Sequence, residues 1–189
     1  MKDRQEPGES NPLVIKKDIM SRKEADMIRL ARRPGGMSRV QIAKSMNMSP
    51  SAIAPYAERL LGEGWLLEAD RQIEGRGRPR TPLIPNPEAG VFIGAEVGFR
   101  FVRVLRLDFA QNIQWKERYE VGEHCSSERI LALLRDGVRR AVGRDAAAVL
   151  GCGIAVNGAI DAERGVSRFW REVPGWNDVP IVDTIRGDL

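Results

Sequence analysis

The sequence predicts an α/β chain, α+β overall, in which a small helical module precedes a strand-rich one. Three observations carry that prediction. Apolar residues recur every three to four positions from Ser21 to Leu61, and beyond residue 87 they give way to short apolar runs separated by turns. Three prolines (Pro82, Pro85 and Pro87) crowd the point where the pattern changes. Charge divides at the same place: residues 1–87 hold 16 Lys and Arg against 11 Asp and Glu, residues 88–189 hold 14 against 15, and the net +4 of the chain lies in its first half. A basic module that meets a polyanion, followed by a near-neutral one, is the organisation this implies.

Residues 1–18 are polar, carry Pro7 and Pro12 and have no period, so they read as a mobile N-terminal arm. Residues 19–81 form the first module. A helix over Ser21–Arg33 presents Met27, Ile28, Leu30 and Ala31 on one face and stops at Pro34-Gly35-Gly36. Ser38 and Gln41 have the spacing of a capping box and open a second helix with Ile42, Ala43 and Met46 facing inward. Ser49 or Ser51 caps a third helix, whose stripe is Ile53, Ala57, Leu60 and Leu61. Pro55 is tolerable if Ser51 is the cap and should kink the helix if Ser49 is. Trp65–Glu68 begins a short strand, with Trp65 in the core. Three helices, a strand and a Gly/Arg-rich hairpin make the layout of a winged helix-turn-helix.

Residues 82–87 read as a stiff proline-rich linker, and residues 88–189 as the second module. Strands are predicted over Val91–Val97, Arg100–Leu107, Ile113–Val121 and Val149–Val156, with a helix over Ser126–Val142 before the last of them. The chain from Asn157 to Pro180 reads as irregular, and Ile181–Leu189 as the start of another helix.

A helix-turn-helix sends the start of its second helix into the major groove of double-stranded DNA. The candidate DNA-binding residues are Arg39, Ser49, Ser51, Tyr56 and Arg59 on the helices, and Arg76, Arg78 and Arg80 in the wing. The first half of the reading helix lacks the Arg, Asn and Gln that read bases bidentately. Gly75-Arg76-Gly77-Arg78-Pro79-Arg80 supplies instead a thin cationic ribbon suited to the narrow minor groove of A·T-rich DNA. Ser38 and Ser49 are also ordinary caps, and Arg32, Arg33 and Arg71 ordinary surface charges.

Other classes of function find little support. No apolar run reaches the roughly 18 residues of a membrane span, and Met1–Ser10 is too charged for a secretory signal. Cys125 and Cys152 lack CxxC spacing, and His124 stands apart from any ligand cluster, so neither a metal site nor a cofactor is expected and the chain reads as cytoplasmic.

The chain resembles the ROK family (repressor, open reading frame, kinase), and within it the sugar-responsive transcriptional regulators. The resemblance rests on Ser38-Arg39-x-x-Ile42-Ala43, the Gly-Arg-Gly-Arg-Pro wing, Asn86-Pro87, and Ile93-Gly94-x-Glu96-x-Gly98 with Asp108. It continues through Gly151-x-Gly153-Ile154-Ala155-Val156-Asn157-Gly158-x-Ile160-Asp161 to Pro174-Gly175-Trp176, and so covers roughly residues 20–180. It implies a partial actin-like, RNase-H-type sensor lobe over residues 88–189, a homodimer on operator DNA and a sugar effector, with Asn157, Gly158 and Trp176 as candidate effector contacts. Asn157-Gly158 also reads as a turn, and Trp115, Trp170 and Trp176 as packing residues. In the family's sugar kinases a DxGxT-type loop after the first strand holds ATP phosphates. Here the acidic position is Glu96, Gly98 is retained, and Phe99-Arg100-Phe101 replaces the Gly/Thr/Lys segment, where a bulky aromatic would obstruct a phosphate. The family's catalytic aspartate is expected beyond Leu189, which makes the chain appear C-terminally truncated, assigns no catalytic residue and points away from an enzyme. A sugar kinase and a non-functional truncated fragment are the alternatives.

Overall fold

The computed structural model describes residues 20–70, 80–123, 125–144 and 146–189. The predicted N-terminal arm, Arg71, Arg76, Arg78 and His124 lie outside them.

Helix α1 (Arg22–Ala31) begins at a capping box. Ser21 Oγ accepts the Glu24 N–H, and Glu24 Oε2 accepts the Ser21 N–H at 2.6 Å. Met27, Ile28 and Ala31 are its buried face. The arrangement recurs at α2 (Arg39–Ser45), where Ser38 and Gln41 close the box that their spacing predicts. A turn over Met46–Met48 holds Asn47 at φ +54°, a left-handed conformation that Asn adopts more readily than most residues. Helix α3 (Pro50–Gly62) then starts from Ser49, whose Oγ accepts the Ala52 N–H at 3.2 Å. With Ser49 as the cap, Pro55 falls inside the helix, yet α3 continues through it to Gly62. Pro55 is exposed, and its missing N–H costs only the bond to the Ser51 carbonyl. Ile53, Ala57 and Leu60 are buried as the stripe requires, and Leu61 is half-buried.

Strands β1 (Met37–Ser38), β2 (Leu66–Glu68) and β3 (Pro82–Pro85) form an antiparallel sheet in the order β1-β3-β2. The segment expected to be a linker is thus the central strand. Both prolines sit at its ends, where the ladder asks little of their nitrogens, and Pro82 serves as an acceptor, its carbonyl taking the Ala69 N–H at 2.9 Å. The described residues up to Val91 make one compact unit together with Leu107–Ile113. Phe109, from the latter segment, is 3% exposed. Its ring lies 5.3 Å from that of Trp65 and 5.2 Å from the Arg32 guanidinium, which also donates to its carbonyl. Trp65 is half-buried rather than fully in the core, and its indole N–H donates to Glu63.

The other unit comprises Phe92–Arg106 and Gln114–Leu189 among the described residues. Strands β4 (Val91–Val97), β5 (Phe101–Asp108), β6 (Ile113–Glu120) and β7 (Val149–Val156) form a sheet in the order β6-β5-β4-β7. Helix α4 (Ser127–Val142), capped by Ser126, precedes β7. These spans fall within a residue or two of those predicted. Ile130, Leu134 and Val138 of α4 are fully buried, as are Val102 and Val104 of β5. Gly137 lets the helix approach: a Cβ there would lie 2.7 Å from the Val104 side chain.

Beyond β7 the prediction of irregular chain gives way to a second antiparallel sheet. It consists of β8 (Ala159–Asp161), β9 (Val166–Phe169) and β10 (Asn177–Val179), in the order β10-β9-β8. Strands of three or four residues are too short to show a period of two. Helix α5 (Ile181–Arg186) closes the described chain and stops at Gly187, earlier than expected.

Candidate nucleic-acid interface and a pocket in the second unit

Helices α2 and α3, which the sequence predicts as the two halves of a groove-reading element, are joined by the turn at Asn47. Ser49 and Ser51 are exposed at the start of α3, but their hydroxyls are 2.9 Å apart and Ser49 is committed to the cap. Tyr56 is half-buried, with the Lys23 ammonium 5.6 Å from the centre of its ring. Arg59 reaches sideways to Glu63 (2.8 Å) and Glu24 (3.0 Å). Arg39, the first residue of α2, pairs with Glu68 of β2 at 2.8 Å. Several of the candidate contacts therefore spend part of their hydrogen-bonding capacity inside the unit. Arg80 is exposed and has no ion pair among the described residues.

Sequence reasoning missed Glu24, Arg33 and Gln41 as participants. Glu24 is 1% exposed and accepts from both Ser21 and Arg59; the Ser21-x-x-Glu24 spacing was a signal for it. Arg33, Gln41 and Arg80 share a pocket of about 250 Å³ that no pattern in the chain announces.

In the second unit, Asn157 and Gly158 come directly after β7 and are exposed. Gly158 has φ +100°, and any side chain there would collide with the Phe169 carbonyl, so the turn requires glycine. Both residues line a pocket of about 610 Å³ with Phe99, Phe169, Trp170 and Glu172. Trp176 lies elsewhere. It is 1% exposed, its indole N–H donates to Ser167 at 2.8 Å, and it meets Trp170 edge-on at 5.2 Å between ring centres. Trp170 rather than Trp176 faces the cavity.

The carboxylates have local partners. Glu96 lies 3.3 Å from Arg103. Asp108 is buried and accepts the backbone and side-chain N–H groups of Asn112. Asp161 accepts from the Arg164 N–H and from Arg168, which hold it below the usual carboxylate range. Among the described residues, no group of three or more His, Cys, Asp or Glu is placed to hold a metal ion, and no helix is long and apolar enough to cross a membrane.

No protein-family model matches the chain. Among curated proteins it is 25% identical over 150 residues to the xylose repressor of Caldicellulosiruptor bescii, a match that spans 77% of this chain and 37% of that protein. It is 24% identical over 110 residues to the DNA-binding transcriptional dual regulator NagC of Escherichia coli, covering 58% of this chain and 27% of the relative. The crystal structure of a ROK family transcriptional regulator, a homologue of the E. coli MLC protein, superposes with a TM-score of 0.59 at 19% identity over 87% of this chain and 42% of that one. The chain thus spans less than two-fifths of the length of these curated relatives.

Proposed function

We propose that this ROK-type chain is a DNA-binding transcriptional regulator, a repressor of carbohydrate-metabolism genes that reads its operator with a winged helix-turn-helix and an Arg-rich wing. The observation that carries the reading is α2–turn–α3 standing beside the sheet β1-β3-β2, whose β2–β3 connection holds Arg76, Arg78 and Arg80. The repressor and regulator names of the relatives, one of them matched over 77% of the chain, support it. Arg39, Ser51 and Arg80 contact DNA on this reading, and Ser49, Tyr56 and Arg59 position α3. Arg76 and Arg78 enter the minor groove of an A·T-rich site. The regulator acts as a cytoplasmic homodimer on paired half-sites. A sugar effector takes the pocket beside Asn157 and Gly158, with Trp176 supporting its Trp170 wall. The chain is not an enzyme on this reading: Phe99 stands in the turn that holds phosphates in the kinases, and Glu96 is bound to Arg103.

The test is fluorescence anisotropy with A·T-rich duplexes over a range of salt. Affinity should fall steeply as salt rises, and Arg76→Ala with Arg78→Ala should weaken binding at least about tenfold. Binding indifferent to both arginines would sink the wing, and phosphorylation of a hexose by the purified protein would overturn the non-enzyme reading.

A further inference from the structure

The pocket of about 250 Å³ in the first unit lies between the α1–α2 connection, the first turn of α2 and the start of β3. Arg33, Pro34, Gly36, Met37, Gln41, Arg80 and Pro82 line it, and none of them is acidic. Arg33 and Arg80 are both exposed, and neither forms an ion pair among the described residues. In this they differ from Arg39 and Arg59, whose charge is met by Glu68, Glu24 and Glu63.

Gln41 completes the set. Its side-chain oxygen accepts the Ser38 N–H at 2.8 Å and the Ser38 hydroxyl at 2.9 Å, and Ser38 is 5% exposed. The capping box therefore fixes the amide plane. With the oxygen turned to Ser38, the two N–H donors of the Gln41 amide are left for the pocket. Two unpaired guanidiniums and an oriented amide, with no carboxylate among them, form a cluster of donors lacking an acceptor. A phosphate oxygen supplies what the cluster lacks.

We infer that this notch holds a backbone phosphate of the operator duplex and sets the register of the module on DNA. The inference rests on the DNA-binding reading above and deepens it, adding Arg33 and Gln41 to the interface. The position suits the role, because Arg80 ends the Arg-rich connection. An arginine ribbon lying in the minor groove brings the flanking phosphates to its base. A phosphate contact carries no sequence information, so its loss weakens all duplexes alike.

The test uses the full chain, the A·T-rich duplex and a scrambled one, and anisotropy over a range of salt. Arg33→Ala removes one cation. Gln41→Glu keeps an oxygen for the Ser38 N–H, so α2 stays capped, but replaces the amide donors with a negative charge. Each variant should lower affinity about tenfold on both duplexes, and Arg33→Ala should also reduce the salt slope by about one. Wild-type affinity and slope in both variants would overturn the inference. So would a loss confined to one duplex, which would mark base reading instead. If the wild-type chain binds neither duplex, the DNA reading itself fails and the notch is decided separately by titrating inorganic phosphate. A shift of the Gln41 side-chain amide resonances that Arg33→Ala abolishes would sustain a phosphate site, and no shift would remove it.

Discussion

Glu24 is the residue on which the first unit turns. It is a carboxylate with 1% exposure, held by the Ser21 N–H at one oxygen and by Arg59 at the other. Removing a buried acceptor leaves donors unsatisfied, so Glu24→Ala should destabilise the chain by about 1–3 kcal/mol in urea denaturation. Arg59 is half-exposed and water replaces part of what it provides, so Arg59→Ala should shift the urea midpoint less than Glu24→Ala does. If Arg59 is a brace, that variant should keep its DNA affinity once the loss of stability is allowed for. The two cysteines give a second residue-scale test. Burial pushes the Cys152 thiol up to about 11, whereas Cys125 is partly exposed. At pH 8 a thiol reagent should therefore modify one cysteine of the native chain and two in urea. The Ser38–Gln41 box could be read from sequence because its partners stand three residues apart. The Glu24–Arg59 pair could not, since its partners are 35 residues apart and meet only once α1 has packed on α3.

At the scale of elements, the starts of α1 to α4, each capped by a serine, and strands β2 and β4 to β7 arise from local chemistry. Replacing Ser38 by Ala should cost about 1 kcal/mol by loss of the α2 cap, measurable as a shift in the urea midpoint. The α4–α5 contact makes a sharper prediction. Asp188, just beyond α5, accepts from Arg135 (2.9 Å) and Arg139 (2.5 Å) of α4. Burial by itself would raise its carboxyl, but hydrogen bonds from Arg139 and Arg135 outweigh that and hold it below the usual range. A carboxyl depressed in the folded state contributes stability that is present above its unfolded value, about 3.9, and disappears as pH falls through the folded value. Tm should accordingly drop more steeply with acidification below about pH 4 in the wild type than in Asp188→Asn. A parallel fall in both proteins would show that other carboxylates dominate. The elements that could not be read share a cause. Strand β3 reads as a linker because proline is scored against a strand, and only its partners reveal that Pro82 and Pro85 occupy its ends. Strands β8 to β10 are too short for any period, and they exist because they pair with one another.

At the scale of the whole molecule, the division of charge remains the most informative single feature. The net positive excess lies in residues 1–87, which suits the polyanionic partner proposed for them, and the remainder is near neutral. If the chain is a homodimeric regulator, sedimentation of the complex should find two chains per operator carrying paired half-sites. One chain per duplex at saturation would reject the homodimer. The Ser38–Gln41 box, the buried Ile53, Ala57 and Leu60 of α3, the buried Ile130, Leu134 and Val138 of α4, and strands β4 to β7 were legible in the sequence, because each depends on neighbours within a turn or a strand. The choice of Ser49 over Ser51 as the α3 cap was not. Only the tertiary structure decided which charges remain available. Arg39, Arg59, Arg33 and Arg80 look alike as letters, yet folding engages part of the first two guanidiniums with distant carboxylates and leaves the last two, with no ion pair among the described residues, around the amide of Gln41. Pairing between charges is a matter of distance in space, and the sequence records distance only along the chain.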